Sequence, residues 1–171
     1  MDGCGGFLLL SGNRWSVGGV GPESSADICV RADWPRMAGT IEQDGEDYFW
    51  NSVRSTDPRQ LIRRDQVLPI AGSAKMTLGQ PSPLCDSAVL MLKAPHRFDQ
   101  HVDGVVLVND TLLVGPSSDC HIRFPESTDR AVITRRNDKW LVKAGLSGDF
   151  EELCFGQRKT LQSLAMTLEE A

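Results

Sequence analysis

The sequence lacks several features that would place it in a functional class at once. Its 171 residues include only three histidines, and they contain no G-x-S-x-G elbow, Walker loop or G-x-G-x-x-G motif. The net charge of −5 lacks the basic footprint of a nucleic-acid-binding protein. The apolar run near the start, Phe7 to Leu10, is too short for a signal peptide or a membrane span. We therefore predict a non-catalytic protein that binds neither nucleic acid nor membrane.

Paired cysteines are also missing. The cysteines are odd in number and scattered, without a C-x-x-C pair, which favours reduced thiols in a cytoplasm over a disulfide framework. Cys120 and His121 are neighbours, but a zinc site needs about four suitably spaced ligands and no second pair lies nearby. We predict that Cys120 is a small core residue, that His121 faces outward, and that the protein holds no metal or cofactor.

What the sequence does contain is a β pattern. Short runs with β-branched and aromatic residues are separated by Gly, Pro, Asn or Asp, which is typical of strands at regular spacing. Asn137-Asp138 is a plausible hairpin turn. The segments 57–68 and 152–171 could each form a helix locally, but Gly156 and the surrounding β pattern argue against both. The pattern predicts an all-β protein built from β-sandwiches.

One phrase occurs twice in the chain. "VGPESSADICV" begins at Val20 and "VGPSSDCHIRF" begins at Val114, an offset of 94 residues for the shared Val-Gly-Pro. From Asp27 to Trp50 the match continues without a gap at an offset of 92 residues, so that Tyr48 corresponds to Trp140. Internal similarity of this kind predicts a duplicated structural unit.

The boundary between the two units is predicted between about Ala94 and Asp103. Prolines interrupt the pattern near residue 81, and the segment from Ser87 begins apolar and turns polar before Val105. We read this segment as a last strand followed by a connector. The prediction is a first β-sandwich over residues 5–97 and a shortened second one over residues 103–171.

The repeated pattern resembles the forkhead-associated (FHA) domain, an eleven-strand β-sandwich that binds phosphothreonine peptides. The family pattern has a strand ending in Gly-Arg, the segment Ser-Arg-x-His-Ala-x-Ile, an aromatic strand and a final "L..GD.I.lG" strand. The matching segments are "PRMAGTI" (35–41), "DYFW" (47–50), "LIRRDQVLPIAG" (61–72), "STDRAVI" (127–133) and "KWLVKAG" (139–145). The resemblance covers nearly the whole chain and implies two tandem FHA-like units.

Most residues that bind phosphate in the family are replaced here. The resemblance places Pro22 and Pro116 where the family has its phosphate-binding arginine. Proline has neither charge nor an N–H group, whereas phosphate recognition depends on arginine forks that hold the dianion bidentately. The binding-loop serine is Pro35 in the first unit and Ser127 in the second. The resemblance therefore implies a fold of FHA type with a degenerate binding site.

The candidate ligand-binding residues are those that remain near the predicted loops. Arginines there could form a relocated anion site, although a solvated basic surface is the alternative. Trp34 lies beside Pro35 in a loop that an FHA-type sandwich would expose, so it is either a partner contact or packs against the other copy. The candidates are Ser117, Ser118, Ser127, Arg36, Arg54, Arg130 and Trp34.

Three functions fit this sequence. The favoured one is a non-catalytic protein-interaction or scaffold protein of FHA type. The alternative is a phosphopeptide-binding signalling module with a relocated arginine site, and the third is an enzyme or small-molecule binder with a cleft between the units. The expected partner is a protein, with a phosphoprotein as one option.

Overall fold

The computed structural model describes residues 5–22, 26–54, 59–145 and 147–170. All regular elements within these residues are β-strands, so the predicted all-β class is confirmed. The described residues of the two segments that could have formed helices include short strands and no helix. The serine pair of the first repeated phrase, Ser24 and Ser25, lies outside the described residues, as does Cys4.

The described chain forms sixteen strands in two successive sets of eight. The first set is β1 (Phe7–Ser11), β2 (Arg14–Gly19), β3 (Ile28–Val30), β4 (Gly39–Asp44), β5 (Asp47–Ser52), β6 (Gln60–Leu61), β7 (Met76–Gly79) and β8 (Ala88–Leu92). The second set is β9 (Gly104–Val108), β10 (Thr111–Gly115), β11 (Ile122–Arg123), β12 (Ala131–Arg136), β13 (Lys139–Ala144), β14 (Glu151–Glu152), β15 (Arg158–Leu161) and β16 (Leu164–Thr167).

Two sheets of identical strand order lie in the two halves of the chain. The first outer sheet has the order β3-β2-β4-β5-β6 and the second outer sheet has the order β11-β10-β12-β13-β14. In both, the first pair is parallel and the others are antiparallel. A central sheet, β1-β9-β8-β7, and a C-terminal hairpin, β15-β16, complete the fold. The equal order supports the predicted duplication.

The central sheet separates two hydrophobic cores. Its strand β9 shows the division, because side chains on a strand alternate between the two faces of a sheet. Val105 and Leu107 pack in the first core with Trp15 and Trp50 of the first outer sheet. The intervening Val106 packs in the second core, with residues of the second outer sheet and of the C-terminal hairpin. The fold therefore has three stacked layers.

The strands do not divide at the predicted boundary between residues 97 and 103. Strand β9 lies beyond that boundary, yet it pairs with β1 in parallel and with β8 antiparallel. The prediction of two separate sandwiches is not confirmed, because the two halves share the central sheet. The physical reason is the apolar run Val105–Val108, whose residues are all fully buried. A strand that is apolar on both faces requires a layer on each side.

The strand register corrects the alignment of the repeated phrase. Val17 pairs with Ile28 and Gly39, and Val114 pairs with Ile122 and Ala131. The counterpart of Val114 is therefore Val17 rather than Val20, and the two Val-Gly-Pro phrases occupy different places. The offset of 92 residues is confirmed for β4 and β5, where Tyr48 and Gln43 pair as Trp140 and Arg135 do.

The duplication extends to the end of the described chain. The amide of Asp65 donates to the carbonyl of Leu78 at 2.9 Å, and the amide of Gly156 donates to the carbonyl of Leu168 at 2.8 Å. These bonds align "SAKMTL" (73–78) with "SLAMTL" (163–168), which share four of six residues. Strand β16 is therefore the counterpart of β7, with an offset of 90 residues.

The hairpin turn at Asn137-Asp138 is confirmed. It joins β12 to β13, and its two residues have φ angles of 50° and 61°. Two positive φ values are the geometry of a type I′ turn, whose twist matches that of the flanking strands. Asn and Asp tolerate this conformation better than other residues with side chains.

Candidate functional site

Three loops meet at one end of the first outer sheet, and backbone hydrogen bonds hold them together. The amide of Gly19 donates to the carbonyl of Pro35 at 2.8 Å, which ties the end of β2 to the loop before β4. The amide of Val53 donates to the carbonyl of Ala38 at 3.1 Å and adds the loop after β5. We call the surface formed by Val20, Arg36, Met37, Val53 and Arg54 the first apex.

The first apex combines exposed apolar side chains with two arginines. Val20, Met37 and Val53 are 48%, 37% and 62% exposed, and they lie on the three loops that these backbone hydrogen bonds join. Arg36 and Arg54 are exposed beside them. A Cβ atom added to Gly21 would lie 3.2 Å from Nε of Arg36, so this side chain lies against the β2–β3 loop. The first apex therefore presents an apolar surface flanked by positive charge.

The equivalent loops of the second repeat are occupied by internal bonds. We call Ser117, Ser118, Asp119, Ser127 and Arg130 the second apex. Arg130 binds Asp119 bidentately, at 3.1 and 3.0 Å. Such a fork-to-carboxylate pair uses the donors that an arginine would offer to a phosphate. The second apex therefore holds its arginine within the fold.

Ser127 is held by hydrogen bonds inside the fold. It is buried, its Oγ accepts the amide N–H of Asp129 at 3.0 Å, and it lies 2.8 Å from Oγ of Ser163. The side chain thus stabilises its own loop against the turn between β15 and β16. The structure therefore places Ser127 among internal hydrogen bonds and leaves little of its surface exposed.

Ser117 and Ser118 have different surroundings. The carbonyl of Ser117 accepts the amide of Cys120 at 3.1 Å, so this residue closes a turn. Ser118 is exposed and lines a cavity of about 730 Å³ between the two halves of the chain. Arg64 and Thr77 from the first half also line it. Of the predicted candidates in the second repeat, Ser118 alone lines a cavity with residues of the first half.

Trp34 is a core residue and not an exposed contact. It packs in the first core, although it belongs to the loop between β3 and β4. Gly72 makes this packing possible, because a Cβ atom there would lie 2.7 Å from Cδ1 of Trp34 and its φ is +132°. The part of the expectation that placed Trp34 on an exposed loop is therefore wrong. The loop folds back over the sandwich.

An aspartate and a serine tie two loops together in each repeat. Asp33 accepts hydrogen bonds from the amide and hydroxyl of Ser73 at 2.8 and 2.6 Å. Asp129 accepts the same two bonds from Ser163 at 3.1 and 2.6 Å. The serine hydroxyl and then the serine amide lower the pKa of each aspartate, because both bonds favour the charged carboxylate. We call these the Asp–Ser clamps.

His121 is buried, contrary to the prediction that it faces outward. Only 4% of it is exposed, and its Nδ1 accepts the amide N–H of Leu113 at 3.0 Å. Its Nε2 lies 3.1 Å from the carbonyl of Ser87, so the proton is on Nε2 and points at that carbonyl. The predicted burial of the neighbouring Cys120 is confirmed.

Cys85 lies beside His121, and the two side chains form a structural contact between neutral groups. Sγ of Cys85 is 3.5 Å from Nε2 of His121. Burial raises the pKa of the Cys85 thiol and lowers the pKa of His121, so both groups are neutral. A nucleophilic cysteine requires a thiolate, which an electropositive setting favours. Here the imidazole joins β10 to the segment before β8.

Three features of the described residues bear on other functions. Within 5–22, 26–54, 59–145 and 147–170, no three histidine, cysteine or acidic side chains are placed to hold a metal ion. Across the same residues, no helix has the length and apolar character needed to cross a membrane. The four described cysteines are all free thiols: Cys29, Cys85, Cys120 and Cys154.

No family model, no curated protein and no solved structure matches this chain. The resemblance to FHA domains therefore depends on the sequence pattern alone.

The site differs from the sequence-based prediction mainly in its apolar members. Arg36 and Arg54 were candidates and do lie at the first apex. Val20, Met37 and Val53 were not, although each stands in a loop segment rich in polar residues. For Met37 and Val53, an isolated aliphatic residue next to an arginine is the signal that would have identified them; Val20 stands between two glycines and carries no such signal. Their grouping on one surface depends on the hydrogen bonds between loops.

Proposed function

We propose that the protein is a non-catalytic interaction scaffold of FHA type, and that it binds a protein partner through the first apex. The observation that carries the proposal is the exposure of Val20, Met37 and Val53 on three loops that backbone hydrogen bonds join, with exposed Arg36 and Arg54 on two of the same loops. Apolar side chains flanked by arginine are typical of the residues that dominate binding energy at protein interfaces. The duplicated strand order supports the tandem arrangement that the sequence pattern implies.

The binding we propose does not require a phosphate. With the corrected register, Gly19 and Pro116 follow the strand glycines Gly18 and Gly115, and the resemblance to the FHA pattern would put the family's phosphate-binding arginine at these two positions. Neither residue has a side chain that binds an anion. In the second repeat, Arg130 is paired with Asp119 and Ser127 is buried. The proposed partner therefore contributes apolar side chains and, near the arginines, acidic ones.

A specific observation favours the phosphopeptide alternative as the second candidate. Arg36 lies against Gly21 of the β2–β3 loop, and Arg54 stands in the neighbouring loop after β5. Two guanidinium groups on adjacent loops could hold a phosphate bidentately. In that case the anion site would have moved from the end of β2 to the other two loops of the same apex.

The two candidates are separated by titrating the whole chain with a peptide library in phosphothreonine and unphosphorylated forms. We expect some peptides to bind with micromolar dissociation constants that are equal for the phosphothreonine and unphosphorylated forms. Met37→Ser or Val53→Ser should weaken this affinity about tenfold, a loss of about 1.4 kcal/mol. Leu84→Ser is the matched control, because Leu84 is 73% exposed and lies in the β7–β8 loop.

The contrary results are equally defined. Affinity that vanishes on dephosphorylation, and that falls with Arg36→Ala and Arg54→Ala, would replace the proposal by the phosphopeptide alternative. Affinity that falls as much with Leu84→Ser as with Met37→Ser would show that the first apex is not the contact surface.

A further inference from the structure

The two repeats differ in the strand that follows β7. In the first repeat, β8 pairs with one edge of β7, with Met76 opposite Leu92 and Leu78 opposite Leu90. Strand β16 is the counterpart of β7, yet among the described residues it pairs with β15 alone. An edge strand presents a row of unpaired backbone donors and acceptors. The second repeat therefore has an open edge where the first has a buried one.

A second open edge faces this one across a cavity. Among the described residues, β1 is the outermost strand of the central sheet, and its pairing with β9 uses only one of its edges. A cavity of about 660 Å³ lies between Phe7–Leu9 of β1 and Met166–Leu168 at the end of the hairpin. We call this cavity the strand slot.

The floor of the strand slot is apolar. Ile133, Trp140 and Leu153 line it from the second outer sheet and the strand-flanking segment beside it. Phe7 and Leu9 of β1 are only partly buried against the second core, and Phe155 on the rim is 51% exposed. The second core is thus less completely covered at this point than the first core, where β8 contributes Ala88 and Leu90.

Charge at the rim restricts what the slot would accept. Glu169 and Glu170 line one end of the slot, and no lysine or arginine is among its lining residues. Strand β8, which fills the corresponding place in the first repeat, consists of small and aliphatic residues and is followed by Lys93. An aliphatic strand with a basic residue near its end therefore complements both the floor and the rim.

We propose that the strand slot binds an extended segment of another polypeptide, with about five aliphatic residues and a basic end, by β-strand addition. The segment runs antiparallel to both β16 and β1. This direction follows from the first repeat, because β8 is antiparallel to β7 and to β9, and β9 is parallel to β1. The bound strand would join the C-terminal hairpin to the central sheet. The proposal deepens the interaction function proposed above and rests on it, but it uses a different surface from the first apex.

The first test supplies the strand within the chain. At the offset of 90 residues, Glu169 is the counterpart of Gly79. Residues 80–93 are therefore copied after Glu169, where they replace Glu170 and Ala171. The copy carries Cys85→Ser, and a scrambled copy of equal composition is the control. We expect hydrogen exchange of the β1 and β16 amides to slow at least tenfold, with a higher thermal midpoint than the control. Equal exchange and equal midpoints in the two fusions would overturn the proposal.

The second test supplies the strand as a peptide. A synthetic peptide of residues 87–93 (SAVLMLK) is titrated into the whole chain, and tryptophan fluorescence reports on Trp140 in the floor. We expect saturable binding that weakens at least tenfold with Leu9→Asp and is unchanged with Leu84→Asp, a control in the exposed β7–β8 loop. Binding that ignores Leu9→Asp would overturn the slot as the site.

Two further results separate this proposal from others. Binding of the peptide that persists in Met37→Ser and Val53→Ser would support the slot as a surface distinct from the first apex. Loss of peptide binding in those two variants would overturn that distinction. Self-association of the chain alone, measured by sedimentation and reversed by the peptide, would identify a second copy as the occupant and overturn the assignment to a different partner.

Discussion

The two repeats place different side chains on the same backbone. Asp27 and His121 occupy equivalent positions just before β3 and β11, and each accepts the amide N–H of the same place on the neighbouring strand. Asp27 is exposed and bonds to Ser16, whereas His121 is buried and reaches the segment before β8. The same strand framework therefore accommodates either an exposed carboxylate or a buried imidazole as the acceptor for this backbone N–H group.

The loop ends show the same divergence at a larger scale. The first apex has exposed apolar side chains and arginines, whereas polar side chains of the second apex form internal pairs such as Arg130 with Asp119. The Asp–Ser clamps are retained in both repeats, so the loops are anchored alike. The two apices therefore differ in the side chains that their loops carry and not in the Asp–Ser bonds that anchor those loops.

The largest expected effect comes from truncating the aromatic core of the second repeat. Trp140→Ala should lower the free energy of unfolding by about 3–5 kcal/mol, because large buried side chains leave a cavity when they are removed. Trp140 is 8% exposed and packs in the second core, as its sequence pattern predicts. Urea titration would measure the loss, and a value below about 1 kcal/mol would show that the core does not depend on this residue.

Tyr48→Ala sharpens the same comparison, since Tyr48 is the counterpart of Trp140 in the first core. Because the central sheet belongs to both cores, each variant should unfold in one transition that removes all strands together. Two separate transitions in either variant would contradict the shared sheet and favour two independent sandwiches.

The next effect is a pH dependence of the unfolding free energy that arises from His121 of the second repeat. Burial holds the pKa of His121 below its ordinary value of 6.5 in the folded protein. The unfolded chain then binds a proton more readily, so stability is complete above about pH 6.5 and falls as the pH drops towards the folded pKa. Urea titrations from about pH 8 to pH 5 would measure this slope.

His121→Gln is the matched variant for that slope. Its amide can accept from Leu113 and donate to Ser87 as the imidazole does, but it does not titrate. We expect the variant to lose the dependence of stability on pH in this range. An unchanged slope would assign the dependence to another group.

A smaller effect is expected from the ion pair of the second apex. Arg130→Ala should cost only about 0.2–1 kcal/mol, because both partners are about one third exposed and solvent screens the pair. A double-mutant cycle with Asp119→Ala would isolate the interaction. Arg130→Ala should leave peptide affinity unchanged, and a loss of binding would place the contact surface on the second apex.

The smallest effect should be equal in the two repeats. Ser73→Ala and Ser163→Ala remove the hydroxyl bonds, which are the largest cause lowering the pKa of Asp33 and Asp129, and leave the backbone amide bonds in place. Each carboxyl pKa should therefore rise part of the way towards its ordinary value of 3.8. Each clamp contributes stability above that pH that is lost as the pH falls through the lowered pKa. Carboxyl NMR titrations would measure both shifts. A clear rise in one repeat alone would show that the clamps are not equivalent.

Local patterns in the sequence were enough to predict the strands and several core residues. Alternating apolar residues predicted β4, β5, β12 and β13, and the correspondence of Tyr48 to Trp140 at an offset of 92 residues is confirmed. The repeated Val-Gly-Pro phrase misled the alignment, because a loop between strands can change length without changing the pairing. Val17 shows this, since it lies three positions before Val20, the valine that the phrase had suggested.

Burial in the loops was harder to predict. Trp34 and His121 stand in segments that read as connections, and connections usually lie on the surface. Trp34 is buried because Gly72, distant in sequence, leaves room for its ring. His121 is buried because the segment before β8 supplies a carbonyl for its proton. Neither partner can be identified from the neighbours of the residue in the chain.

The sequence by itself determined the all-β class and the hairpin at Asn137-Asp138, because each depends on residues close together in the chain. It also indicated the duplication, because the two repeats keep similar local patterns that can be compared without knowing the fold. Only the tertiary structure decided that β9 joins β1 and β8 in one central sheet, and that the two cores lie on its opposite faces. The physical reason is that strand periodicity is a local property, whereas the choice of pairing partner depends on backbone hydrogen bonds and apolar surfaces far apart in sequence.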